Sequence, residues 1–131
     1  MSEVVQNKVE EYGKVTFADE VVAIIAGLAA TEVKGVAAMS GSMAGGIAEK
    51  LGRKSLTKGV KVEVGEKEAA IDLYVIVDYG VRIPEVAWNI QENVKKAVET
   101  MTGLSVVEVN VHVQGVSFDR EIKDEEGDKK Q

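Results

Sequence analysis

Side chains able to do chemistry are scarce in this chain of 131 residues. It has no cysteine, a single histidine, His112, and 22 acidic against 16 basic residues. The lack of thiols removes disulfides, thiolate metal sites and cysteine nucleophiles together. Metal or triad chemistry would have to rest on carboxylates and one imidazole. Asp72 and Asp78 have no second carboxylate fixed beside them by local spacing, so the sequence offers no general acid/base pair. His112 sits between Val111 and Val113 in an alternating run and reads as a solvent-facing strand residue. The acidic run from Asp124 to Asp128 lacks the alternating ligands of a calcium loop. No catalytic residue, metal or cofactor is expected.

The remaining candidate is a basic, glycine-rich stretch, "SGSMAGGIAEKLGRKSLTKG", Ser40 to Gly59. It holds five of the thirteen glycines and four of the sixteen basic residues: Lys50, Arg53, Lys54 and Lys58. With Glu49 these give the stretch +3, in a chain whose net charge is −6. Glycine loops followed by lysine can cradle phosphate through freed backbone amides. The spacing here is wrong for that. Five residues separate Gly46 from Gly52 where a phosphate loop has four, and Arg53 intervenes before Lys54 and Ser55. GxGxxG is absent, and no two glycines are three apart, so the GxxG loop of KH-type RNA binders is missing. Met43, Ile47 and Leu51 instead fall on one face of a short amphipathic helix, with Lys50, Arg53 and Lys54 along the remainder. That helix could cover the core or offer a basic face to an acidic partner or lipid headgroups.

The elements that would position these residues follow from periodicity. "GKVTF", 13 to 17, reads as a short strand or extended entry, ending in a capping box of Thr16 with Asp19. A helix follows, its apolar face made of Val21, Ile24, Ile25, Leu28 and Ala29, and ends near Gly35. "GVAAMSG" is a short strand or connector. Val60, Val62 and Val64 alternate with Lys61 and Glu63, and a turn at Gly65 to Glu68 leads into a strand over roughly 69 to 78. Ile71, Leu73, Val75 and Val77 share one face of that strand, which reads as central in its sheet. Pro84 and Glu85 suit a helix start, and Val86, Ile90, Val94, Ala97 and Met101 form its stripe to about Met101, before Gly103. The last strand, 104 to 116, places Val107, Val109, Val111 and Val113 inward and Glu108, Asn110, His112 and Gln114 outward. Strand, helix and strand make a crossover unit, so these two strands should be parallel and the sheet mixed.

Trp88 stands apart from this pattern. At about 100° per residue it lies roughly 140° from the centre of its helix's apolar stripe. It either folds over the helix start or packs on the N-terminal segment, or it anchors a protein contact, as tryptophans at interfaces often do. Nothing in the N-terminus looks like a secretory signal, and no apolar run approaches the roughly 18 residues of a membrane span. A cytoplasmic location without a direct membrane span is expected.

The run Asp78 to Val116, "DYGVRIPEVAWNIQENVKKAVETMTGLSVVEVNVHVQGV", resembles the bacterial alkaline shock protein family, also called envelope stress response proteins. The shared marks are "YG" at 79 and 80, "IPEVA" at 83 to 87, "IQENVKKAVE" at 90 to 99, "MTGL" at 101 to 104 and "VVEVNVHVQGV" at 106 to 116. The upstream "GKVTFADEVVAIIAGLAATEVKGVAAMSG" is similar too, so the resemblance covers roughly 13 to 118. It implies a non-enzymatic cytoplasmic protein of the envelope stress response, abundant and self-associating. In some members a separate small membrane-spanning protein anchors it at the membrane. No catalytic residues carry over.

The sequence therefore predicts a single small α/β (α+β) domain, with a mixed sheet and helices packed mainly on one face. An N-terminal tail, 1–12, and a charged disordered tail, 119–131, flank the domain at 13–118. Trp88, Lys50, Arg53, Lys54 and Lys58 are the expected partner-binding residues. The alternative is a nucleic-acid or phosphate-ligand module using the basic segment 41–58. Self-association and a membrane anchor are the favoured partners, and nucleic acid is not.

Overall fold

The computed structural model describes residues 11–41 and 56–118. Two helices, α1 (Asp19–Thr31) and α2 (Ile83–Thr102), lie with four strands, β1 (Val36–Met39), β2 (Val60–Val64), β3 (Glu68–Asp78) and β4 (Ser105–Ser117). The predicted α+β domain with a mixed sheet and one helix layer is what forms. Residues 13–18 make no strand, however, and α1 begins after Ala18 without a side-chain cap, so the Thr16 and Asp19 capping box is absent.

β3 organises the sheet because its composition alternates strictly. Ala69, Ile71, Leu73, Val75 and Val77 are buried, and the residues between them are half-exposed. β4 pairs with β3 in parallel along its whole length, from Glu68 opposite Ser105 to Asp78 opposite Ser117. A strand has only two edges, so β1 and β2 share the other one. Both run antiparallel to β3, β1 beside Val75 to Val77 and β2 beside Ala69 to Leu73. Tyr74 marks the joint between them: its carbonyl accepts the Ser40 N–H at 2.7 Å, and its own N–H donates to the Gly59 carbonyl at 2.8 Å. β1 and β2 are thus one interrupted strand, which the chain leaves after Ser40 and rejoins at Gly59. Gly59 has φ +77°, and a Cβ there would lie 2.8 Å from the Ser40 carbonyl oxygen and 2.9 Å from that of Tyr74. Only glycine fits this crossing without strain.

Both helices cover the face that carries Ile71, Leu73, Val75 and Val77. Val86, Ile90, Val94 and Val98 of α2 are buried there, each contributing about 1.5–3 kcal/mol by leaving water. Met101, expected in this stripe, is 68% exposed, and Val98 takes its place as the fourth buried residue. Gly103, with φ +78°, ends the helix, its N–H donating to the Glu99 carbonyl. The buried face of α1 also differs from expectation. Val22, Ala23, Ala26, Gly27, Ala29 and Ala30 point inward, while Val21 and Leu28 are exposed. The reason is close approach: a Cβ on Gly27 would meet the Leu56 carbonyl oxygen at 3.0 Å. At that point of α1 there is no room for a side chain, and apart from Val22 the inward row is alanine and glycine. Asn93 ties the helices together by donating to the Ala29 carbonyl at 2.8 Å.

β4 departs from simple alternation twice. The register with β3 shifts between Ala69 and Ala70 and again between Val75 and Ile76, leaving Val107 and Gln114 as the extra residues. Val107 is therefore 55% exposed rather than inward, and Val106 is buried instead. After each shift the valines return to the helix side.

Candidate interaction surface

The outer edge of β4 shows how α2 and the sheet work together. Ser105 donates its N–H to the Lys67 carbonyl and Ser117 accepts the Tyr79 N–H, so these two residues turn their backbones toward β3's side of the strand. Between them, strand alternation and the two bulges aim the backbone N–H and C=O groups of Val106, Val109, Val111, Val113 and Val116 away from β3, while their side chains stay on the helix side. Outward backbone groups need partners or water. α2 supplies partners for the first part of the strand. The Glu99 carboxylate accepts the Val106 N–H at 2.9 Å, the Lys95 ammonium donates to the Val106 carbonyl at 3.2 Å, and the Gln91 amide donates to the Val109 carbonyl at 3.0 Å. Lys95 and Glu99 also pair with each other at 3.0 Å. The Val106 N–H, chiefly, and Lys95 hold the Glu99 carboxyl below its ordinary pKa.

Gln91, Lys95 and Glu99 are spaced four apart, and Trp88 lies three residues before Gln91. At 3.6 residues per turn Trp88 falls on the same stripe, one turn further along; its rise of about 4.5 Å past Gln91 brings it level with about Val111. A fourth polar cap would belong there. Instead the position holds an indole that is 59% exposed. Val113, Val116 and Phe118 are exposed beyond it, and Phe118 stacks on exposed Tyr79 with ring centroids 4.8 Å apart. The surface is thus a strand edge with its first half capped and its second half bare and flanked by apolar groups.

The open face of the sheet carries a second cluster. His112 Nε2 lies 3.1 Å from Asp72 Oδ1, and the Asn110 amide donates to the same oxygen at 3.1 Å. The His112 ring stacks on Tyr74 with centroids 4.5 Å apart, and the Lys61 ammonium sits 5.6 Å from the Tyr74 centroid. Hydrogen bonding from His112, first, and from Asn110 lowers the Asp72 pKa, with burial opposing. These residues meet because the β3 and β4 register sets Asp72 opposite Asn110 and Tyr74 opposite His112. The pairing joins residues 40 apart, and its one trace in the sequence is the shared alternation of the two strands. A histidine held by an aspartate resembles part of a hydrolytic triad, but both side chains are more than a third exposed on an open face.

The expected partner-binding residues divide. Trp88 is on the β4 side of α2. Lys58 is exposed just before β2, on the opposite edge of β3, so these two do not form one surface. Lys50, Arg53 and Lys54, with the short helix expected around them, lie outside the described residues. Along β2 runs a groove of about 600 Å³ lined by Asp19, Glu20, Glu63 and Asp72 against Lys61. Four carboxylates to one ammonium repel a phosphate ligand. Among the described residues no group of three or more potential ligands could hold a metal ion, and no helix is long and apolar enough to cross a membrane.

Comparison with known proteins adds a lineage. The chain is 47% identical over 107 residues to a Bacillus subtilis protein called YqhY, covering 82% of this chain and 79% of that protein. It is 37% identical over 102 residues to a stress response regulator gls24 homolog of Streptococcus pyogenes serotype M3, covering 77% of this chain but 57% of the relative. Among solved structures, one titled MamM CTD overlays 73% of this chain and 93% of its own at 18% identity and a TM-score of 0.45, too loose to support any inference. Residues 7–118 match the model of the alkaline shock protein 23 family, described by its cell envelope-related function. The features "YG", "IPEVA" and "VVEVNVHVQGV" thus belong to a matched region that takes in every described element from α1 to β4, and the chain is a member of that family.

Proposed function

We propose that the protein serves the envelope stress response without catalysis, by associating with itself and with other proteins in the cytoplasm at the membrane periphery. A small membrane-spanning protein would act as its anchor there. The observation that carries this reading is the exposure of Trp88 on α2 together with Val113, Val116 and Phe118 at the end of β4, because exposed apolar residues gathered in a patch mark a contact site where isolated ones do not. The family's cell envelope-related description supplies the setting. The open, shallow placement of His112 and Asp72 favours a binding role over a catalytic one.

A fluorescent fusion in the native host tests the location, and deletion of the gene tests the role. Peripheral membrane fluorescence and greater sensitivity to alkaline or cell-wall stress are expected. A diffuse signal together with unchanged stress survival would overturn the reading.

A further inference from the structure

We propose that the bare half of β4, Val111 to Val116, pairs antiparallel with the same strand of a second copy, joining two sheets into one around a two-fold axis. The proposal rests on the self-association put forward above and adds the surface and the symmetry. The observation behind it is the contrast along one strand. Val106 and Val109 have their outward backbone groups engaged by Glu99, Lys95 and Gln91. No side chain among the described residues engages those of Val111 and Val113, and Trp88 occupies the position on α2 from which a cap would reach them.

The caps dictate the direction of pairing. A second strand laid parallel and level with β4 would run into Gln91, Lys95 and Glu99 along the first half. An antiparallel strand overlaps only the second halves, and the capped half of each copy extends past the end of the other. Charge permits the same arrangement. From Val109 to Phe118 the only titratable side chain is His112, and Glu108 lies on the capped side. Antiparallel self-pairing of this stretch therefore sets no carboxylates or ammonium groups of like sign opposite one another, which would be destabilising.

The side chains match as well. A two-fold axis perpendicular to the sheet keeps both helix layers on one side, so Val111, Val113 and Val116 meet the partner's valines and the open face with His112 continues into its counterpart. Strand pairing alone buries too little for a stable dimer, whose interfaces bury about 1,200–2,000 Å² in total. Trp88 from each copy, with about 150–250 Å² of its own, provides an apolar centre above the joined strands. A second copy fits better than an unrelated extended peptide because it brings this indole and valine row with it, whereas a peptide would have to supply both.

Trp88 is the only tryptophan, so its fluorescence reports the joint directly. Sedimentation velocity and Trp88 emission of the full chain should both change with concentration, the emission shifting to the blue as dimer forms. Val113→Lys and Trp88→Lys place a charge at the joint and should each weaken association roughly tenfold or more, with far-UV circular dichroism unchanged. Val113→Lys should also abolish the concentration-dependent emission shift. Glu63→Lys, on the opposite edge, should associate as the wild type does. Should Val113→Lys fail to fold, Trp88→Lys, on an exposed helix position, still decides the matter. If the wild type associates and both joint variants associate equally well, the edge pairing is wrong while self-association stands. A wild type that stays monomeric to submillimolar concentration overturns both and leaves the edge to a different protein.

Discussion

One edge of the sheet consists of two short pieces, β1 with four residues and β2 with five; the other is a single strand of thirteen. The short edge is interrupted at Ser40 and Gly59 and presents Lys61 and Glu63 to solvent, both features that discourage pairing with another chain. The long edge has one charged residue, Glu108, and is instead shielded by side chains from α2 over its first half only. Exposed strand edges template unwanted pairing unless they are blunted. One edge here is blunted by its own residues, the other by the polar side chains of a neighbouring helix, which end at Gln91. The difference teaches that exposure on this molecule is local, and that the bare stretch sits where Trp88 replaces a polar cap.

The joint of the short edge is the place where that contrast can be broken most severely. Gly59→Ala forces a side chain into a left-handed conformation and against two carbonyl oxygens, and should cost at least about 2 kcal/mol. The urea midpoint measures it, and an unchanged midpoint would show that the two pieces of the edge do not depend on a close crossing. Next in size is the central cap of the long edge. Glu99→Ala removes the acceptor for the Val106 N–H and should cost about 1–2 kcal/mol at neutral pH by the same measurement.

The same carboxylate gives a pH signature. Folding holds Glu99 more acidic than in the unfolded chain, so its stabilisation is complete above the ordinary glutamate range and is lost as pH falls through the lower folded value. Glu99→Gln should flatten the acid limb of a stability profile; an identical limb in wild type and variant would mean that the cap does not persist in solution. The smallest effect on stability is expected at the last cap before Trp88. Gln91→Ala frees the Val109 carbonyl and should cost about 0.5–1 kcal/mol or less, since the group can turn to water. It lengthens the bare edge, so association measured by sedimentation should strengthen slightly. Weaker association in this variant would contradict the capping role assigned to α2.

Much of the fold could be read from local chemistry. The strict alternation of β3, the Pro84 start and Gly103 stop of α2, and the crossover from β3 to β4 were all legible, because each depends on residues adjacent in sequence. The misreadings share one physical origin. Strict alternation places Val107 inward, but a bulge there shifts the register, and a bulge arises from pairing with β3 that no local pattern encodes. Size and period place Val21 and Leu28 in the core, yet Leu56 and Val60 approach α1 so closely at Gly27 that the helix turns a row of alanine, glycine and Val22 inward instead. At the surface, the angular position of Trp88 on its helix was correct from periodicity. What it stands beside was not, because Gln91, Lys95 and Glu99 read simply as solvated helix residues until β4 lies along them.

Local chemistry alone sets the alternating core of β3, the ends of α2, the outward position of Trp88 and the family, since periodicity, backbone preference and motif are properties of neighbouring residues. Tertiary structure alone decided that β1 and β2 form one interrupted edge, that Asp72 meets His112, and that α2 caps half of β4. Each of these joins residues far apart in the chain through a strand register, and register is fixed only when the helices and the sheet bury their apolar faces together.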